Sequence, residues 1–258
     1  MLSFLRAGGA LFLLLSILTT TAVDAQYPNR LDPRFYLPPI ELPRPQVVPK
    51  MPPVDGVEAV DLALVLALDT SASVNQERWA LQVLGYADAF RDRDVVAALR
   101  SGAYGMIAVT VVQWSDTNDQ SIVIPWRILR DAENAAVFSN EIEHMRRVHN
   151  RNTALARAID FSSLVIEHPP FKALRKVIDI SGDGSDNRGG LVALSRKRVI
   201  DMGVTINGLP IIADEKNIAT YYERNVIGGP GAFLVVAESY SRFKDAIRRK
   251  LILEIAWR

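Results

Sequence analysis

The chain has 258 residues, of which 49% are hydrophobic and 23% charged, a globular composition that excludes wholesale disorder. Thirty Lys and Arg against 29 Asp and Glu leave a net charge of +1, so no electrostatic force draws the chain to nucleic acid or an anionic membrane surface. Cysteine is absent, which excludes disulfides, zinc thiolates, iron–sulfur clusters and Cys nucleophiles; any metal site must use oxygen or imidazole ligands, and there are only three histidines.

In chain order, residues 1–25 read as a signal peptide. Arg6 is the positive start, ALFLLLSIL (residues 10–18) is the short apolar run, and Val23-Asp24-Ala25 offers small residues for cleavage before Gln26. The run is too short to span a bilayer, which takes about 20 residues. The expected mature protein is periplasmic or secreted, with no stable membrane insertion. Residues 26–56 hold nine of the 14 prolines, a density that blocks helix and sheet ladders and favours an extended spacer or strap.

From residue 57 to 258 strand and helix patterns alternate. Residues 61–68 (DLALVLAL) form a near-continuous apolar run ending at Asp69, as a strand buried on both faces does. Residues 75–98 are amphipathic, with Trp79, Val83, Ala87 and Phe90 at helical spacing. Residues 106–114 and 121–124 predict an antiparallel hairpin. Residues 131–147 and 153–167 predict helices, the second stopped by His168-Pro169-Pro170. Then come a strand (176–180), a helix (191–202) closed by Gly203, a strand (204–209), a short helix (215–224), a last strand (232–237) and a final helix (239–255). The expected architecture is α/β: a doubly wound, mostly parallel six-stranded sheet with one antiparallel edge strand and helices on both faces. In such sheets ligands bind at the carboxyl ends of the strands.

Three loops at that edge carry oxygen ligands: Asp69-Thr70-Ser71-Ala72-Ser73 after the first strand, Asn150-Arg151-Asn152-Thr153 before a helix, and Ser181 to Asn187 after the KVIDI strand. Two carboxylates and three hydroxyls suit a hard dication such as Mg²⁺, which takes six oxygens and keeps some of its waters. Gly182 and Gly184 flank Asp183 and leave the backbone free to turn there. Each residue also has a structural alternative: Ser73 and Thr153 as helix caps, Asp183 as a turn residue.

D-x-S-x-S after a first buried strand, a Thr at a helix start and an Asp-Gly after a later strand resemble the metal-ion-dependent adhesion site of von Willebrand factor type A domains. Here the matching residues are Asp69, Ser71, Ser73, Thr153 and Asp183, and the similarity covers residues 57–255. VVQWS, VIDISGDG and the closing helix further resemble a branch of exported bacterial proteins carrying this domain. The pattern departs at Asn152 and Ala156, where the family often has glycine. The resemblance implies Mg²⁺ or Mn²⁺ at the site and a non-catalytic adhesion or assembly module, whose protein partner presents an Asp or Glu to the metal. Asn75, Asn152, Asp186, Asn187 and Arg188 are the expected specificity residues around it.

Two alternatives stand beside that reading. Gly182-Asp183-Gly184-Ser185-Asp186-Asn187 imitates the late motif of haloacid-dehalogenase-type phosphohydrolases, but Ser71 stands where their general acid is needed. The other is a structural module with a vestigial site. His144, His149 and His168 are expected at helix ends away from the site. Arg248-Arg249-Lys250 reads as a solvated face of the last helix. Oligomeric state has no signature in the sequence.

Overall fold

The computed structural model describes residues 56–57, 59–188 and 190–256. The expected signal peptide and all of the proline-rich segment but Gly56 lie outside the described residues.

Five strands form one sheet in the order β3-β2-β1-β4-β5. They are β1 (Ala59–Asp69), β2 (Ile107–Trp114), β3 (Gln120–Leu129), β4 (Lys172–Gly182) and β5 (Thr205–Pro210). β1 pairs in parallel with β2 and β4, β4 in parallel with β5, and only the edge pair β2–β3 is antiparallel. β1 is central and buried along its length after Ala59, which is why its sequence is apolar without alternation.

The two faces of β1 divide the core. Leu62, Leu64, Leu66 and Leu68 pack against α1 (Gln76–Arg91), α2 (Arg93–Leu99), α3 (Ala132–Glu143) and α7 (Phe243–Ala256). Ala63, Val65 and Ala67 face α4 (Leu155–Glu167), α5 (Val192–Asp201) and α6 (Ile218–Asn225). The four residues that set the period of α1 are all buried.

The expected sixth strand, 232–237, is reduced to two isolated bridges, Gly208 with Leu234 and Ile211 with Ala237. Gly208 N donates to Phe233 O, Val235 N to Gly208 O, Ala237 N to Pro210 O and Ile212 N to Ala237 O. The next rung of this parallel ladder needs an N–H at position 210. Proline has none, so pairing breaks in the middle.

Other boundaries move for local reasons. The expected helix 75–98 breaks at Asp92, whose extended backbone ends α1 and whose side chain caps α2 by accepting from Asp94 N and Val95 N. α3 stops at Glu143, and 144–152 runs as a loop toward the start of α4. β4 begins at Lys172, earlier than its apolar core, because Ala59 and Val60 of β1 pair with Lys172 and Ala173.

Candidate metal centre

In the order 3-2-1-4-5 the chain direction of the winding reverses between β1 and β4. Asp69 is the last residue of β1, and Asp183 directly follows the last residue of β4. The two carboxylates therefore bracket the switch point, where side chains from neighbouring loops meet above the strand ends.

The first loop bends so that Asp69 Oδ1 accepts from Ser71 N at 2.7 Å. Ser71 Oγ and Ser73 Oγ lie 3.1 Å apart, and Ser73 Oγ donates to Asp183 Oδ1 at 2.5 Å. Thr153 Oγ1 borders Gly184, 3.5 Å from where a Cβ on that glycine would sit. All five expected ligands thus converge at one end of the sheet. The capping alternatives fall away: Asn75 caps α1 by accepting from Arg78 N, and α4 has no side-chain cap.

Backbone bonds stitch the three loops together. Ala72 N donates to Arg151 O, Ala154 N to Ser115 O, and Asn187 N to Thr153 O. Thr153 N in turn donates to Asn187 Oδ1. Asp116 receives the Asn152 amide at 2.6 Å and Arg188 Nε at 2.8 Å, and Asp186 accepts from Ala156 N, Arg188 N and Gly190 N. Asn152, Asp186, Asn187 and Arg188 thus hold the loops in place and Asn75 caps α1, and all but the half-buried Asp186 remain exposed around the site. At the Ala156 departure, Gly190 leaves the room: a Cβ there would collide with Ala156 Cβ.

Sequence reasoning missed several residues around the site. Asp183 Oδ2 accepts from Tyr240 Oη at 2.9 Å and lies 3.4 Å from Arg78 Nη1. Arg78 stacks over Tyr240 and is held from outside by both oxygens of Asp214. Arg147 donates to the carbonyls of Thr70 and Ser71 and fixes the curl of the first loop. His149 sits in the same loop as Arg147, off any helix end, with its ring on Ser121 Oγ. Only the excess of arginine and tyrosine near the motif in three dimensions marks these residues, and the one-dimensional order scatters them.

Asp69 has no exposure, and its Oδ2 has no partner among the described residues. Burial, and then the Asp183 charge, push its carboxyl up to about 7. A buried carboxyl oxygen without a donor is unusual, and a bound cation is one group that would satisfy it. Two carboxylates and three hydroxyls, all hard oxygens, fit Mg²⁺ or Mn²⁺ in chemistry.

The chain belongs to the family described as "Protein of unknown function (DUF1194)", which matches residues 59–258. No curated protein matches the sequence. Among solved structures it is similar to proximal thread matrix protein 1 of the mussel byssus, with a TM-score of 0.54 and 16% identity over 77% of this chain and 47% of that one. A second structure of that mussel protein has a zinc-occupied MIDAS motif. A von Willebrand factor type A protein from Catenulispora acidiphila gives 0.52 and 15% over 76% and 43%. The pilus adhesin SpaC from Lactobacillus rhamnosus GG gives 0.54 and 13% over 78% and 31%. The chain thus spans less than half the length of these proteins. The likeness establishes a von Willebrand factor type A-like fold.

Proposed function

We propose that the protein is an exported, non-catalytic protein-binding module for adhesion or assembly. Residues 57–258 form its working domain, and Asp69, Ser71, Ser73, Thr153 and Asp183 hold Mg²⁺ or Mn²⁺ there. The observation that carries this reading is the pair of strand-end carboxylates at the switch point, one with a buried, unpartnered oxygen.

A dication held by these five side chains would retain waters, and a partner Asp or Glu taking the place of one would gain a charge-assisted contact. A bound dication supplies Lewis acidity. Against a phosphohydrolase, Ser71 stands where that motif needs a general acid, and its hydroxyl faces Ser73. Adhesive and matrix roles of the fold relatives, and the zinc in one of them, agree with a metal-dependent capture function. No helix among the described residues is long and apolar enough to cross a membrane.

The test is affinity capture of exported proteins by wild type and Asp69→Ala, each in Mg²⁺ and in chelator. Capture by wild type in Mg²⁺ alone, lost when one Asp or Glu of the captured protein is neutralised, is expected. Capture that persists unchanged in chelator refutes the bridging role.

A further inference from the structure

Tyr222 of α6 has no exposure, and its hydroxyl has no partner among the described residues. A buried hydroxyl with neither donor nor acceptor is destabilising, because it gives up its hydrogen bonds to water and gains none. Its position suggests what it is there for. A Cβ built on Gly182 would lie 2.6 Å from Tyr222 Oη and 2.9 Å from Asp69 Oδ2. The two unpartnered oxygens are neighbours, brought together over the one residue of β4 that has no side chain.

The arrangement is built by three elements. β1 ends in Asp69, β4 ends in Gly182, and α6 inserts Tyr222 from the side of the sheet that carries α4 and α5. The next ring on α6, Tyr221, accepts a bond from Asp186 N in the third loop. α6 therefore meets the site twice. Asp69 Oδ1 is already committed to Ser71 N, so Oδ2 is the oxygen left for a cation.

We propose that Tyr222 is a positioning residue for the metal site: when a cation engages Asp69, the phenol donates to Asp69 Oδ2 and fixes how that carboxylate meets the ion. This rests on the reading of the five residues as a metal site. The chemistry is sound for this phenol in particular. Burial, and then the charges of Asp69 and Asp183, push Tyr222 well above the usual phenol range, so it stays a neutral donor. An ionised carboxylate is an acceptor only, with lone pairs enough for both an ion and a phenol. Partners that orient metal-binding side chains typically change metal affinity by about 10- to 100-fold when removed.

The experiment compares wild type with Tyr222→Phe, which keeps the ring and its packing. Mn²⁺ and Mg²⁺ alone are titrated calorimetrically into each, and melting is measured without metal. The expected result has opposite signs. Metal affinity falls about tenfold. The metal-free melting temperature stays level or rises, because an unsatisfied hydroxyl has gone. Equal metal affinity in both proteins overturns the proposal while leaving the metal site standing. A lowered metal-free melting temperature with unchanged affinity also overturns it, because that is the signature of a merely structural hydroxyl. No binding to wild type refutes the metal-site reading itself, and the proposal falls with it.

Discussion

Ser73 Oγ donates to Asp183 Oδ1 at 2.5 Å, joining two residues 110 positions apart and closing the first site loop onto the third. Two steps away in the chain, Asn75 does the unrelated job of capping α1. The two roles are separable by mutation. Ser73→Ala is expected to weaken Mn²⁺ binding, because it removes a ligand and frees Asp183 to move. Asn75→Ala is expected to destabilise the fold by about 0.5–2 kcal/mol and leave metal affinity unchanged. Denaturant melts and metal titrations on both variants check this.

The two glycines flanking Asp183 predict contrasting outcomes. A Cβ on Gly182 meets Tyr222 Oη at 2.6 Å and Asp69 Oδ2 at 2.9 Å, while one on Gly184 meets nothing nearer than Thr153 Oγ1 at 3.5 Å. Neither glycine has a positive φ among those that do. Space is what Gly182 provides, in place of the turning freedom inferred from the motif. Gly182→Ala should therefore displace Asp69 or Tyr222 and abolish the thermal response to metal. Gly184→Ala should retain it.

Asp116 offers a pH signature outside the ligand set. Burial alone would raise its carboxyl, but the Asn152 amide, Thr117 N–H and Arg188 outweigh it and hold the group down to about 2. A carboxyl depressed in the folded state adds stability that is complete above its unfolded value and is lost as pH falls toward the folded value. Asp116→Asn should destabilise the protein at pH 7 by roughly 1–2 kcal/mol, the range for a charge-assisted bond at a partly wetted rim. The deficit relative to wild type should shrink between about pH 4 and pH 2. Urea melts across that range measure it.

Lys250 corrects the reading of the basic cluster on the last helix. It has no exposure, lies 2.9 Å from both Asp179 and Glu254, and faces the Phe233 ring. Glu254 also accepts the Asn207 amide, and Arg248 pairs with Asp92 and Asp94. Lys250 and Arg248 therefore clamp α7 to β4, β5 and α2, while Arg249 between them is solvated as expected. Lys250→Met should cost about 3–5 kcal/mol by leaving two buried carboxyls without their cation. Adding Asp179→Asn and Glu254→Gln should restore much of that. Both effects should appear equally with and without metal.

Much of this was legible beforehand, for physical reasons. β1 is apolar without a break from Leu62 to Leu68 because helices cover both of its faces, and the strand-end rule then pointed to Asp69 and Asp183. The limits were equally physical. Periodicity saw 232–237 as a strand but not that Pro210 on the neighbouring strand would remove its middle rung. Amphipathicity ran through Asp92 because a cap between two helices leaves the apolar period nearly intact. Arg78, Arg147, Tyr222 and Tyr240 come from four separate segments, and no spacing in the chain links them to the ligand loops.

The most direct measurement is thermal melting of wild type and Asp183→Asn over a Mn²⁺ and Mg²⁺ series. At ten times the dissociation constant, an ion that binds only the folded state adds about 1.4 kcal/mol. For a domain of this size that is a rise of roughly 3–6 °C in melting temperature. The expected result is that rise in wild type and none in Asp183→Asn, whose amide still accepts from Tyr240 but brings no charge to the ion. An equal rise in both proteins, or none in wild type at any concentration, would contradict a metal centre built on Asp69 and Asp183.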